Sequence, residues 1–296
     1  MRVTFSSTFR NGLLDVNMAA SRLAERTRQM SSGKLMHAAS DNPGAMASSI
    51  TQHSEMGVLD QYVKQNDSVE SRLSVADSAM TDMIKQITAA QGRGVGGRST
   101  VLTPTQREAL AQEIRGSRDA ILRGINTSFN GIYLFAGGRS TTPPYANGTP
   151  ISAYQGDSNE TYVDVTRGRA VQVTYDGESF IQGGAANDLF ETLTSLADAV
   201  ETGNMAGIDA SMLELNAAFD RVTTAQSSIG IELASLADDR SRTSELRRAA
   251  DKRRSMLEDA NLAEAISATE QADQAHRAAL SALSTAGRLS LMDYLK

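Results

Sequence analysis

Small and apolar side chains near the start of the chain recur in alternating steps of four and three residues. This spacing places them on one stripe of an α-helix and is typical of a helix that packs against another helix. Ser31, Ser32 and Gly33 end the pattern, and Gly33 is a candidate C-terminal cap. We therefore predict a first helix that ends near residue 32. Its stripe consists of Phe9, Leu13, Val16, Ala20, Leu23, Thr27 and Met30.

A second, longer helix is predicted from Pro43 to about Gln91. Asp41 and Asn42 offer acceptor side chains just before Pro43, which suits the first helical turn. The same alternation continues to Ile87 without a proline to break it, and at 1.5 Å per residue the helix would span roughly 70 Å. We expect the glycine-rich run 92–97 to end this helix and to form a flexible loop.

The middle of the chain changes character twice. Thr103 to Gln106 forms a capping-box pattern that starts a third helix towards Ser128. Turn formers and a Pro-Pro pair follow, and then two β-patterned runs, 162–165 and 170–175, are separated by four turn-like residues. This order predicts a hairpin within a small β insert.

Helical periodicity returns at Leu189, pauses at Gly203-Asn204 and continues through Leu236. The final helix, after Leu257, carries two neighbouring stripes. Alanine in a seam allows close approach of two helices but buries little area, so we expect the chain ends to order fully only when several copies pack together. The alanine stripe is Ala265, Ala268, Ala272, Ala275, Ala279, Ala282 and Ala286, and the leucine stripe is Leu262, Ile266, Leu280 and Leu283.

These elements predict a mainly α protein: an elongated helical rod of long heptad-patterned helices, with paired N- and C-terminal helices and a small β-rich insert. The predicted domains are a terminal assembly domain (1–43 plus 255–296), a helical rod (44–138 plus 188–254) and a β insert (139–187). The terminal helices are expected to form an assembly interface. Its predicted residues are Phe9, Leu13, Val16, Ala20, Leu23, Leu262, Ile266, Ala272, Ala279, Leu280, Leu283 and Leu291.

Composition excludes several classes of function. The absence of cysteine removes disulfides, thiolate metal sites and a cysteine nucleophile. A net charge of -6 disfavours nucleic acid as a partner. No stretch reaches the ~18 apolar residues of a membrane span, and charged residues interrupt any signal-peptide core in the first twenty positions.

Residues that could carry chemistry lack the context they need. Gly92, Gly94 and Gly97 satisfy G-x-G-x-x-G but follow a helix rather than a strand, and Lys34 lacks the rest of a P-loop. His37, His53 and His276 are isolated, so no metal site, cofactor or catalytic dyad is predicted. The remaining charged residues are expected to form a solvated helix face or intersubunit ion pairs. These are the basic residues between 240 and 254 and the acidic Asp238, Asp239, Glu258, Asp259 and Glu264.

Three segments carry a family resemblance. Residues 30–47 (MSSGKLMHAASDNPGAMA) resemble the N-terminal signature of bacterial flagellins and flagellar hook-filament junction proteins, through the S-G-K turn and the A-x-S-D-x-P helix start. Residues 131–137 (GIYLFAG) are similar to a stretch of the junction proteins, and residues 289–295 (LSLMDYL) are similar to the family's C-terminus.

The resemblance implies a non-enzymatic subunit of the ring between hook and filament. It implies a homo-oligomeric ring that contacts the other hook-filament junction protein and flagellin. It also implies transient residence in the cytoplasm with an export chaperone, passage through the flagellar type III export apparatus and a final extracellular position. Flagellin itself and, from another class, a secreted coiled-coil adhesin remain alternatives.

Overall fold

The computed structural model describes residues 5–148, 150–183 and 188–294, and within the first and last of these ranges the side chains of 5–8 and 286–294 are left out of the description. The elements confirm a mainly α fold with a small β-rich insert. They are α1 Phe5–Ser32, α2 Pro43–Gly97, α3 Pro104–Ile125, β1 Ser128–Phe129, β2 Ile132–Tyr133, β3 Tyr162–Thr166, β4 Arg169–Gln172, α4 Gly177–Ile181, α5 Leu189–Thr202, α6 Met205–Glu258 and α7 Leu262–Tyr294.

The chain divides into two compact units. The first comprises Met1–Val58 with Leu246–Lys296, and the second comprises Leu59–Glu245. The three-part division 1–43 plus 255–296, 44–138 plus 188–254, and 139–187 stays a prediction.

The second unit holds the hydrophobic core. The heptad positions of α2 predicted from the sequence are buried there, including Leu73, Met80 and Ile87. Helix α3 packs against α5, and the insert contributes apolar side chains to the same core. Burial of one contiguous apolar cluster is the main source of stability for this unit. The insert's members include Val165, Val171 and Val173, and Leu134 and Phe135, which lie just before the insert, belong to the same core.

The glycine-rich run 92–97 is helical, so the prediction of a flexible loop there was wrong. Gly94 and Gly97 are buried against other helices: a Cβ at Gly94 would lie 2.8 Å from Met212 Sδ, and one at Gly97 would lie 2.7 Å from Val200 Cγ2. A Cβ at either position would force Val200 in α5 or the flexible end of Met212 in α6 to shift, because these helices approach the α2 backbone closely. The close packing offsets the ~1 kcal/mol by which glycine disfavours a helix.

The β-patterned runs form the expected antiparallel hairpin, β3 with β4. Arg169 in β4 joins it to α6, with Nη2 at 3.2 Å from Glu232 Oε2 and Nη1 on the Asp239 carboxylate. The sequence did not predict α4, nor the short β1–β2 hairpin across Asn130-Gly131, whose φ angles are +52° and +80°. Two positive φ angles in succession suit a tight hairpin turn with an Asn-Gly sequence.

In the first unit, α1 packs against α7. The chain leaves α1 at Gly33, whose φ of +67° is the left-handed conformation that favours glycine at a helix end. Helix α2 begins at Pro43, where the Asn42 side chain accepts a hydrogen bond of 3.1 Å from the Ala45 N–H. Both boundaries agree with the sequence prediction.

Candidate assembly interface

Helices α1 and α7 pack against each other along a seam that includes Gly12 and Leu283. A Cβ added to Gly12 would lie 3.0 Å from Leu283 Cδ1, so the α1 backbone and this leucine are already in close contact. Small residues in a seam bring helix axes together but bury little apolar area. Six of the predicted interface residues on these two helices are half-buried in the single chain: Val16, Ala20, Leu23, Ala272, Ala279 and Leu283.

Five other predicted interface residues stay open to solvent. Their exposures lie between 42 % and 56 % for Phe9, Leu13, Leu262, Ile266 and Leu280. We call these five residues the exposed flank. The remaining one, Leu291, lies among the residues whose side chains fall outside the described part. The structure thus splits the predicted residues into a covered seam and an exposed flank.

A second apolar surface on α1 was missed by the heptad pattern. Leu14 is 55 % exposed and Met18 is 52 % exposed. Each lies two positions from Val16, about 160° around the helix from the seam. A search of the sequence for apolar pairs spaced four residues apart, out of phase with the heptad, would have found them.

The segment after α1 pairs with the segment between α6 and α7. The Leu35 N–H donates to the Glu258 carbonyl at 2.7 Å, and the Ala260 N–H donates to the Gly33 carbonyl at 2.8 Å. These two bonds form a short antiparallel bridge around Lys34 and Asp259. The two terminal helices therefore share one fixed point at their inner ends.

Glu258 is the centre of the side-chain contacts at this point. Lys34 Nζ lies 3.1 Å from Glu258 Oε2 and 2.6 Å from Asp259 Oδ1. Oε1 of Glu258 accepts a hydrogen bond from the Ser49 hydroxyl and lies 2.8 Å from His53 Nε2. Only 16 % of the Glu258 side chain is exposed. We call Lys34, Ser49, His53, Arg254, Glu258 and Asp259 the Glu258 cluster.

The cluster favours the ionised carboxylates. The Ser49 hydrogen bond, together with Lys34 and His53, lowers the pKa of Glu258 to about 2. Hydrogen bonding from Lys34 lowers the pKa of Asp259, and the two carboxylates raise the pKa of Lys34. Glu258 and Asp259 are thus paired within the chain, which corrects the expectation of solvated or intersubunit pairs for these two residues. The reason is that the chain turns at residues 33–35 and carries Lys34 onto the end of α6.

Other charged residues predicted to lie on a solvated face also have partners in the chain. Arg240 lies within 3.1 Å of Asp67 and 3.0 Å of Glu70. Asp239 pairs with Arg169 in the insert. Over the described residues, no helix is long and apolar enough to cross a membrane, and no group of three or more His, Asp or Glu residues is arranged to hold a metal ion.

Comparisons with known proteins agree with this architecture. Residues 10–140 match the family model described as the bacterial flagellin N-terminal helical region. Flagellar hook-associated protein 3 from Escherichia coli (strain K12) is 24 % identical over 205 residues, which cover 69 % of this chain and 61 % of that protein. The protein of the same name from Salmonella typhimurium (strain LT2) is 22 % identical over 259 residues, which cover 80 % of this chain and 81 % of that protein. The aligned part thus falls short of two thirds of the Escherichia coli relative.

A solved structure is similar in fold. The flagellar junction protein FlgL from Legionella pneumophila superposes with a TM-score of 0.61 at 11 % identity, covering 72 % of this chain and all of that one. At this identity the likeness concerns the fold alone. The family model and the sequence relatives point the same way: the N-terminal part of the chain matches the bacterial flagellin N-terminal helical region, and the chain is similar to flagellar hook-associated protein 3.

Proposed function

We propose that this chain is a structural subunit of the junction between flagellar hook and filament, and that it supports flagellin polymerisation through its terminal helices. The observation that carries the proposal is the exposed flank. In the pair α1–α7, large apolar side chains remain half open to solvent along both helices. An exposed apolar stripe on a helix that already has one partner is suited to a second helical partner.

The energetics favour assembly of several copies over a single pair. Covering the exposed half of one large apolar side chain contributes about 1 kcal/mol, at ~25 cal/mol per Å2. One such contact is weak, whereas five per chain, repeated around a ring, give strong cooperative association. Assembly of this kind needs no chemical step, so the chain acts as a structural component and not as an enzyme.

A junction subunit of this kind would have several binding partners. A homo-oligomeric ring would form through the terminal domain, residues 1–43 and 255–296. The other hook-filament junction protein would contact one side of the ring, and flagellin the other. Before assembly the chain would be held in the cytoplasm by an export chaperone and would pass through the flagellar type III export apparatus. Its final position would be extracellular.

A substitution in the exposed flank tests the role of the terminal helices. Leu280→Asp places a charge on the half-exposed side of α7, so the free subunit should keep the helical content of the wild type. In cells lacking the gene, this variant should fail to restore filament attachment, because a buried unpaired carboxylate opposes subunit packing. Val101→Asp is the matched control, since Val101 is 87 % exposed between α2 and α3. Full restoration by Leu280→Asp would overturn the proposed interface.

Flagellin is the nearest alternative, because the N-terminal family model covers that class as well. The two roles differ in polymer length. A junction subunit should form short assemblies on its own, whereas a flagellin should elongate. Micrometre-scale filaments of the purified chain in electron micrographs would favour flagellin.

A further inference from the structure

The Glu258 cluster lies where the two terminal helices meet the rest of the first unit. Glu258 is the last residue of α6, and α7 begins at Leu262. Lys34 follows the end of α1, and Ser49 and His53 lie one turn apart in α2. One carboxylate therefore gathers contacts from two other parts of the chain, the segment after α1 and helix α2. We propose that Glu258 is a positioning residue that sets the register in which α7 runs along α1.

The seam between α1 and α7 needs such a residue because its own pattern specifies register weakly. Ala265, Ala272 and Ala279 follow one another at seven-residue intervals. Sliding α7 by one heptad would replace each alanine with another and leave the small-residue seam intact. Buried polar groups are the best-attested way to select one register among such equivalent packings.

The geometry of the cluster tolerates no such slide. Shifting α7 by seven residues would move its backbone by roughly 10 Å, at 1.5 Å per residue. The link between Glu258 and Leu262 is short, so α7 cannot move that far while Lys34 stays 3.1 Å from Glu258 Oε2 and 2.6 Å from Asp259 Oδ1. The bridge between residues 33–35 and 258–260 would break with it. The contacts that hold the inner ends of α1 and α7 together thus select the register in which Gly12 contacts Leu283.

The surrounding charges fit a single carboxylate at this position. Arg254 Nη1 lies 3.6 Å from Glu258 Oε2, and Arg254 is itself held by Asp251 at 2.8 Å. The cationic groups facing Glu258 are thus Lys34, Arg254 and, when protonated, His53, and the neighbouring anion Asp259 shares Lys34. Removing the Glu258 carboxylate leaves two basic side chains and the Ser49 hydroxyl without their common acceptor.

Disulfide trapping measures this register directly, because the chain contains no cysteine of its own. The pair Gly12→Cys with Leu283→Cys reports the register of the structure. The pair Gly12→Cys with His276→Cys reports α7 slid by one heptad, since residue 276 lies about 10 Å along the helix from residue 283, beyond the reach of a disulfide. Each pair is oxidised in dilute monomeric protein, and intrachain crosslinks are quantified by gel mobility.

With Glu258 present, the 12–283 crosslink should dominate. Glu258→Ala should lower the ratio of 12–283 to 12–276 crosslinks by about tenfold or more, the effect of losing one charge-assisted hydrogen-bond set. Glu258→Gln, which retains an acceptor for Ser49 and Lys34, should restore part of the ratio. The control Asp82→Ala removes an exposed pair with Lys85 in the second unit and should leave the ratio unchanged.

Three results would overturn the proposal: an unchanged ratio in Glu258→Ala, loss of both crosslinks together in that variant, or failure of the 12–283 crosslink in protein that retains Glu258. Loss of both would mean that Glu258 holds the helices together without choosing their register. The role of Glu258 in setting the register does not depend on the proposed function; only the effect of that register on assembly rests on it. Because the crosslinks form within one chain, their failure would be distinguishable from a failure of the junction role.

Discussion

At the scale of single residues, the glycines of residues 92–97 are compatible with either a loop or a close contact between helices, and only the fold shows which of the two is present. The glycines of 92–97 indicated a loop because glycine disfavours helices. The structure divides them into buried Gly94 and Gly97, which face Met212 and Val200, and exposed Gly92 and Gly96, which have open space around them. Long-range packing decided the outcome, and no local pattern carries that information.

This division makes a matched pair of substitutions informative. Gly97→Ala should lower the free energy of unfolding by about 1–3 kcal/mol, because the new Cβ would lie 2.7 Å from Val200 Cγ2. Gly92→Ala, in the same helix, should raise it by up to ~1 kcal/mol, because alanine favours the helix and meets nothing. Urea unfolding followed by circular dichroism measures both. Stabilisation of similar size by both variants would contradict the close packing at Gly97.

Glu258 also gives an expected pH dependence at the residue scale. Its pKa falls from 4.5 to about 2 in the folded chain, so the unfolded state binds the proton more readily. The stabilisation is therefore complete well above pH 4.5 and is lost as the pH falls through 2. Asp259, whose pKa is also lowered, contributes with the same sign.

The comparison of wild type with Glu258→Gln isolates this effect. The difference in unfolding free energy of the first unit should be about 1–3 kcal/mol near pH 6, reduced from the full linkage value because Lys34 is partly exposed. Between pH 4.5 and 2 the difference should shrink towards zero. A difference that stays constant over this range would show that the carboxylate gains nothing from its partners.

At the scale of elements, periodicity predicted the helices well because each long helix buries apolar residues along a single face. Leu73, Met80, Met83 and Ile87 lie on the α2 stripe and are buried. In α1 the same apolar spacing identified the face that packs on α7 but not which of its residues are buried. It grouped Leu13 with Val16, although Leu13 is exposed and Val16 is half-buried. The periodicity of apolar residues does not show whether a side chain is buried within its own chain or stays exposed for contact with another subunit.

The joint between the β3–β4 hairpin and α6 was also invisible in the sequence, because Arg169 and its partners Glu232 and Asp239 are more than sixty residues apart. Arg169→Met should release the hairpin and raise its amide hydrogen exchange about tenfold, since a charge-assisted pair contributes ~1.5–3 kcal/mol. Lys85→Met, which breaks an exposed pair with Asp82, is the control. Equal protection of the hairpin in Arg169→Met and wild type would argue against the joint.

At the scale of the whole molecule, the fold class and the family resemblance came from different features of the sequence. Heptads, caps and a hairpin pattern were enough for a mainly α fold with a β insert, whereas the flagellar connection came from the segments 30–47, 131–137 and 289–295. The structure explains part of the first segment, since Lys34 of the S-G-K turn pairs with the end of α6. That contact joins residues far apart in sequence, so spacing alone could not predict it.

The central claim is that this chain joins the hook to the filament, and deletion of its gene tests that claim most directly. Electron microscopy of the deletion strain should show hooks without attached filaments, and unassembled flagellin should accumulate in the medium. Supplying the wild-type gene should restore filaments. Full-length filaments on the hooks of the deletion strain would contradict the claim.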